Sequence, residues 1–316
     1  MIRGENIHNP VLILLHGGPG FPEMRLFRTF NAPLERMFTV VYWEQRGTDK
    51  SFDGRIPDSS MTVEQFLSDL DELVDIVRRR FGKEKVTIYG HSWGSVLGVL
   101  YAARHPEKVS AYVGTGQIGN WPASEAICYA YTVEEARRRN RRRVLAQLQA
   151  LGPTPHSYPQ MMVQRKWLTR FVGVVRGLPS WKFVRITCGR PESSWFEAPN
   201  MIRGMLFSTR LMWTEVSRIN LEQAAPSLQV PVFFLIGRHD RVVAPETSLA
   251  YFEKLAAPVK QFVWFEESGH EPAVEEPEKF HRIMAEYVRP LTEQDRPSLT
   301  ANRREAVEPL ASTWGA

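Results

Sequence analysis

The chain has 316 residues, of which 43% are hydrophobic and 24% charged, a balance typical of a globular protein with one large core and room for a subdomain. Its formal net charge is +5, and much of that excess comes from Arg137–Arg143, so the charge favours no nucleic-acid partner. No apolar run approaches the roughly 20 residues of a membrane span, and no signal peptide is recognisable. We expect a cytoplasmic protein that binds neither nucleic acid nor membrane.

Short runs of β-branched and aromatic residues alternate with amphipathic segments, which is typical of a mainly parallel sheet covered by helices. Helices are predicted over Ser95–Arg104 and after Thr62, which forms a capping-box pattern with Gln65. The predicted strands are Val11–Leu15, Phe38–Trp43, Lys85–Tyr89, Val109–Gly114, Val230–Ile236 and Gln261–Phe265.

The pattern changes in the middle of the chain, where strand signals fade and helical spacing takes over. Glu134–Leu151 is predicted to be one helix that stops at Gly152-Pro153. After Pro290 the chain is polar and unpatterned, which predicts a flexible tail. The predicted division is a core of residues 1–119 and 214–291, an inserted helical lid of 120–213 and a C-terminal tail of 292–316.

A candidate nucleophile lies where a predicted strand meets a predicted helix. Gly90-His91-Ser92-Trp93-Gly94 fits the G-x-S-x-G pattern, with a strand before it and a helix after it. A serine in so tight a turn projects its hydroxyl, and Gly90 and Gly94 avoid the collisions that side chains would make across the turn. Ser92 is the predicted nucleophile.

A glycine loop follows the first predicted strand, at His16-Gly17-Gly18-Pro19-Gly20. Acyl transfer needs hydrogen-bond donors at the developing oxyanion, normally the N–H after the nucleophile and an N–H from such a loop. We predict the N–H groups of Trp93 and Gly18 as these donors, with Gly17 the alternative to Gly18. His16 is expected to pack beneath the loop.

The acid and the base are expected after later strands, in the chain order Ser, Asp, His. Among the eight histidines, only His270 stands on a loop behind a glycine after a late strand, and it is the predicted general base. Asp240 follows the preceding strand and is predicted to orient the imidazole. Asp53, Asp58 and Glu266 are weaker candidates for the acid.

These motifs together resemble the prolyl aminopeptidase (proline iminopeptidase) branch of the α/β-hydrolases. The resemblance rests on H-G-G-P-G at His16–Gly20, W-E-Q-R-G-T-D-K-S at Trp43–Ser51 and G-H-S-W-G-S at Gly90–Ser95, and Gly237–Asp240 and Ser268–His270 agree with it. It implies the α/β-hydrolase fold and release of an N-terminal proline from short peptides, without a metal or organic cofactor.

The chain departs from the family pattern at three places. Glu44 stands where the family usually has Asp. Only ten residues precede the first predicted strand, where relatives have an extra β-hairpin, so we expect either a truncated start or a sheet that lacks its first edge strands. The family's lid glutamates that bind the substrate amine have no motif match. On charge alone, Glu192, Glu197 and Glu215 are the candidate substitutes.

The sequence therefore predicts a cofactor-free and metal-free serine hydrolase that forms an acyl-enzyme on a small-molecule or short-peptide substrate. Prolyl aminopeptidase-like cleavage is the leading hypothesis, and a carboxylesterase of small apolar esters is the alternative within this chemistry. A ligand-binding module with little turnover is the alternative of another class. The oligomeric state is left open.

Overall fold

The computed structural model describes residues 1–152, 154–173, 175–188 and 198–293. Within them one sheet has the strands β1 (Ile2–Arg3), β2 (Val11–Leu15), β3 (Thr39–Trp43), β4 (Val86–His91), β5 (Val109–Thr115), β6 (Val232–Gly237) and β7 (Lys260–Phe265). Their order across the sheet is β1-β3-β2-β4-β5-β6-β7. Every pairing is parallel except that of β1 with β3.

All six predicted strands are confirmed, but Val11–Leu15 is the second strand and not the first. The short strand β1 pairs antiparallel with β3, with Ile2 opposite Val41. The expectation that the edge strand is missing is thus wrong for β1. Two residues are too few to show a period of two, so the sequence pattern could not indicate this strand.

Helices connect the strands and cover both faces of the sheet. No helix in the described parts of the chain is long and apolar enough to cross a membrane. The helices are α1 (Met24–Asn31), α2 (Val63–Phe81), α3 (Trp93–Arg104), α4 (Trp121–Arg138), α5 (Arg142–Gln149), α6 (Tyr158–Val172), α7 (Ser180–Cys188), α8 (Ala198–Val216), α9 (Leu221–Ala224), α10 (Pro245–Lys254), α11 (Pro272–Glu275), α12 (Pro277–Ile283) and α13 (Arg289–Glu293).

Helix α2 begins where the sequence predicted, at Thr62. The Thr62 hydroxyl accepts the backbone N–H of Gln65 at 3.2 Å, which satisfies one of the free amide groups of the first turn. The Gln65 side chain donates instead to Asp69, so only half of the predicted capping box forms.

Strand β2 shows why the central strands are continuous apolar runs. All five of its residues are buried. Because side chains alternate across a strand, Val11, Ile13 and Leu15 pack into the core on one face of the sheet and Leu12 and Leu14 into the core on the other. A parallel sheet that is covered on both faces needs apolar residues at every such position.

The segment between β5 and β6, which holds the predicted lid, contains helices and no strand of the sheet in its described residues. Its two ends meet, because Asn120 forms an isolated bridge with Asn220 and Leu221 N–H donates to Gly119 at 2.7 Å. The predicted boundary at Trp213 falls inside α8, which continues to Val216. The closing contact therefore lies seven residues later than that boundary.

The predicted helix over Glu134–Leu151 is wrong in one respect, since it is two helices, α4 and α5. Asn140 between them has φ 53°, a left-handed conformation that asparagine tolerates. The N–H groups of Asn140 and Arg141 bond back to Arg137 and Ala136, which closes α4 with a Schellman motif. The arginines of this region are exposed, in agreement with a solvated lid helix.

Candidate active site

Ser92 lies at the sharp turn between β4 and α3. Its backbone, at φ 52° and ψ −119°, lies in a region that is strained for a serine, as a nucleophile elbow requires. A Cβ on Gly90 would meet Gly94 O at 2.6 Å, and a Cβ on Gly94 would meet Leu15 O at 2.0 Å. Both flanking positions therefore require glycine. Gly90 lies against the backbone of the same turn, and Gly94 packs directly against the end of β2.

The glycine loop after β2 lies against the serine. A Cβ on Gly17 would be 3.1 Å from Ser92 Cβ and 2.7 Å from Glu23 Oε1. Gly17 N–H already donates to Glu23 Oε1 at 2.9 Å, whereas Gly18 N–H, at φ 116°, has no protein acceptor in the described residues. This difference favours Gly18 over Gly17 as a donor to an oxyanion.

Asp240 and His270 come together from the loops that follow β6 and β7. His270 Nδ1 and Asp240 Oδ2 are 2.8 Å apart, and Asp240 is only 1% exposed. Asp240 Oδ1 accepts the N–H groups of Val242 and Val243 at 2.8 and 3.0 Å. The carboxylate is thus fixed on both oxygens, and it holds the imidazole with its proton on Nδ1 and Nε2 free to act as a base.

His16 packs beneath the oxyanion loop, as predicted. Its Nδ1 donates to Gly17 O at 2.9 Å, and its Nε2 accepts Gln45 N–H at 3.1 Å, which defines a neutral tautomer. Burial lowers the pKa of His16, in agreement with that neutral form. The Gln45 side chain donates to His16 O and accepts the indole N–H of Trp93, each at 2.9 Å, so it joins the loop to the elbow.

A buried charged cluster of Glu23, His91 and Glu271 lies under the catalytic loops. His91 Nδ1 donates to Glu23 Oε1 at 2.7 Å, and His91 Nε2 donates to His270 O at 3.0 Å, with Glu271 Oε2 at 3.6 Å. Through Glu23 the cluster also holds Gly17 N–H. It therefore links the oxyanion loop, the elbow and the histidine loop.

The pKa values of His91 and Glu271 are higher in the folded protein than in the unfolded chain. Burial alone would lower the pKa of His91, but Glu23 and Glu271 outweigh it and raise the pKa to about 10; burial raises the pKa of Glu271 to about 8. A raised pKa contributes stability below the unfolded value, and this contribution is lost as pH rises through the folded value. Stability is therefore expected to fall as pH rises from 6.5 to 8.

The same three side chains are the described group with donor atoms close enough, within 4.8 Å, to be considered as metal ligands. His91 is a poor ligand here. A protonated imidazole has no free lone pair, and both of its nitrogens already donate to oxygen atoms. The cluster is better described as a structural ion pair with an additional carboxylate.

A cleft of about 270 Å³ opens beside His270, between the lid and the loops after β6 and β7. The lid contributes Tyr131 and Arg176, and the loops contribute Arg241 and Glu275. The Glu275 carboxylate accepts the backbone N–H groups of Gly269 and Arg176, and burial raises its pKa to about 7. One side of the base is therefore open to a small polar group.

The structure does not place the other sequence candidates at this site. Glu215 accepts Val63 N–H at 3.0 Å, at the start of α2, and lines a separate hollow, because that amide needs an acceptor at the helix N-terminus. The rival acids Asp53 and Glu266 form ion pairs with Arg55 and Arg238. Asp58 is exposed, and Glu192 and Glu197 lie outside the described residues.

The sheet order, the elbow and the loop positions define an α/β hydrolase. Residues 10–277 match the family model described as alpha/beta hydrolase fold, and the chain belongs to that family. The probable aminopeptidase YbaC of Bacillus subtilis is 32% identical over 293 residues, 92% of each chain. The proline iminopeptidase of Saccharolobus solfataricus is 23% identical, over 91% of this chain and 86% of that one.

A solved structure has the same fold. The proline iminopeptidase of Mycobacterium smegmatis superposes with a TM-score of 0.66 at 18% identity, over 93% of this chain and 95% of that one. The resemblance to the prolyl aminopeptidase branch is confirmed by these relatives, and the protein is a hydrolase.

Proposed function

We propose that this hydrolase is a cofactor-free serine aminopeptidase that removes an N-terminal residue, with proline the leading candidate, from a short peptide or a related small amide. The observation that carries the proposal is the 2.8 Å bond between His270 and Asp240, with Ser92 in a strained elbow at the same edge of the sheet. Relatives that bear the names aminopeptidase and proline iminopeptidase support it.

The reaction follows from the positions of these groups. His270 Nε2 takes the proton of Ser92, whose oxygen adds to the carbonyl carbon, and the N–H groups of Trp93 and Gly18 bind the oxyanion. His270 then returns the proton to the leaving nitrogen as the C–N bond breaks, which leaves an acyl-enzyme. Water, deprotonated by His270, adds to the acyl carbon and releases the acid and the free serine. Asp240 stabilises the imidazolium in both halves.

We assign recognition of the substrate's free amine to Glu271, with Glu23 beside it. The Glu271 carboxylate is buried next to His270 and accepts no hydrogen bond from the described residues, and Nε2 of His91, its ion-pair neighbour, is 3.6 Å away. Glu271 keeps its proton below its raised pKa of about 8; once it ionises, the cluster with its protonated His91 has one net negative charge, and a bound ammonium group favours that ionised form. A substrate ammonium group would supply the missing partner, since buried charges require pairing.

The test is turnover of L-prolyl-p-nitroanilide and p-nitrophenyl butyrate by the wild type and by Ser92→Ala. Prolyl anilide cleavage that falls by roughly three or more orders of magnitude in Ser92→Ala is the expected result. Glu271→Gln should raise KM for the anilide and leave the ester unchanged, with the loop neighbour Glu267→Gln as the control. Ester turnover alone would replace the proposal by a carboxylesterase, and no turnover dependent on Ser92 would overturn it.

A further inference from the structure

The cleft borders His270, the group that must protonate the leaving nitrogen in the proposed reaction. The oxyanion loop follows β2, Ser92 follows β4, and the acid and base follow β6 and β7. A carbonyl carbon bound at Ser92 has two further substituents, the acyl group and the leaving nitrogen, and only the leaving nitrogen has to face His270. The leaving nitrogen must also touch the imidazole, because it receives its proton there.

The cleft carries unpaired positive charge. It is lined by Arg241, which directly follows the catalytic acid, and by Arg176 of the lid. Among the described residues, no carboxylate lies within ion-pair distance of either guanidinium, whereas the neighbouring Arg238 is bound to Glu266 at 2.8 Å. Glu275, the acid in the lining, accepts two backbone N–H groups and also interacts electrostatically with Arg176, so Arg241 is the arginine of this lining that has no acidic partner among the described residues.

Arg241 is held in place without losing its hydrogen-bonding edge. Its guanidinium carbon lies 4.8 Å from the ring centroid of Tyr131, which also lines the cleft. Stacking fixes the plane of the guanidinium and leaves its N–H groups directed along that plane. The paired N–H groups of a guanidinium match the two oxygens of a carboxylate, to which they can donate two parallel hydrogen bonds.

The volume limits what can bind. At about 270 Å³ the cleft is smaller than the 300–1,000 Å³ typical of drug-sized ligands, so it suits one short residue and not a long peptide. A leaving group with its own carboxylate close to the departing nitrogen would place that carboxylate among the arginines.

We propose that this cleft is a carboxylate-binding leaving-group subsite, so that the preferred substrates are dipeptides with a free C-terminus. Arg241 is the main carboxylate ligand and Arg176 assists it. The inference deepens the proposed function and rests on it for the side from which the leaving group departs. It concerns recognition of the departing residue, and it does not depend on which acid binds the substrate amine.

The experiment compares L-prolylglycine with L-prolylglycinamide, which differ only in the C-terminal charge. In the wild type the free dipeptide should have a kcat/KM about 10 to 100 times higher, the range expected for a charge-assisted hydrogen bond. Arg241→Gln should reduce that ratio to near one, mainly by raising KM for the free dipeptide, with a much smaller change in kcat/KM for the amide. Arg238→Gln, on the same loop but outside the cleft, should keep the wild-type ratio.

The outcomes separate this inference from the proposed function. Equal kcat/KM for both substrates, or a preference that survives in Arg241→Gln, overturns the subsite while the aminopeptidase stands. If neither substrate is cleaved, the proposed function fails, and the subsite is decided by calorimetry on Ser92→Ala with N-acetylglycine and N-acetylglycinamide. Binding of the acid alone, lost in the Ser92→Ala, Arg241→Gln double variant, supports the subsite; equal binding or none overturns it.

Discussion

Replacing Asp240 by asparagine should reverse the tautomer of the catalytic histidine. The two N–H groups of Val242 and Val243 both point at Oδ1, so the single amide oxygen of the asparagine must stay there. Its NH₂ group then faces His270 Nδ1 across 2.8 Å. Two donors cannot share that contact, and Nδ1 becomes an acceptor. The ring proton moves to Nε2, the nitrogen that must be free to act as a base.

The expected cost is a fall of about 10⁴-fold in kcat, the size known for the same change in a serine protease triad, or about 5 kcal/mol of barrier. The backbone donors keep their acceptor, so the fold should persist. Steady-state kinetics on the best chromogenic substrate would give kcat, and circular dichroism would check the fold.

Asp58→Asn is the matched control, because Asp58 is an exposed aspartate that the sequence also offered as a candidate acid. It should keep wild-type kcat. The reasoning is refuted if Asp240→Asn is folded and retains more than about a tenth of the wild-type kcat, or if Asp58→Asn loses as much.

Three further changes test the surroundings of the triad. Gly17→Ala places a Cβ 2.7 Å from Glu23 Oε1, the acceptor of Gly17 N–H, so either the oxyanion loop or the carboxylate that holds it must shift. The value of kcat should fall about 10²–10³-fold, and an unchanged kcat would contradict the loop's role. Gln45→Leu leaves the buried indole N–H of Trp93 and the carbonyl of His16 without their hydrogen-bond partner. Urea titration should show a free energy of unfolding about 1–3 kcal/mol lower for each of these groups, and wild-type stability would refute the bridge. In Glu271→Gln the urea midpoint should fall less between pH 6.5 and 8 than in the wild type, while the control Glu267→Gln should behave as the wild type. The same pH dependence in the wild type and both variants would contradict the role of the buried cluster.

Much of the fold could be predicted from the sequence because each central strand is a short apolar run with a turn signal after it. The order Ser92, Asp240, His270 could also be predicted, since a strand precedes each of these residues. Strand β1 could not be predicted because only two of its residues pair with β3. The break between α4 and α5 at Asn140 could not be predicted because helical propensity continues on both sides of it.

The charged cluster could not be predicted, because its members come from two loops and the end of a strand, which are distant in sequence. Glu23 follows β2, His91 ends β4 and Glu271 follows β7, and the parallel sheet alone brings them together. The sequence contained one indication of the cluster, because Glu271 directly follows His270, the predicted base. The charge of Glu215 suggested that it binds the substrate amine, whereas its carboxylate accepts the N–H of Val63 and so caps the start of α2.

The most direct test of the central claim is to find where a fluorophosphonate probe attaches. The intact protein would be labelled, its mass measured and the modified peptide sequenced by mass spectrometry. One adduct per chain, located on Ser92 and absent from Ser92→Ala, is the predicted result, because only a serine activated by His270 and Asp240 reacts readily. An adduct on another residue, or a folded wild type that stays unlabelled, would contradict the assignment of Ser92 as the nucleophile.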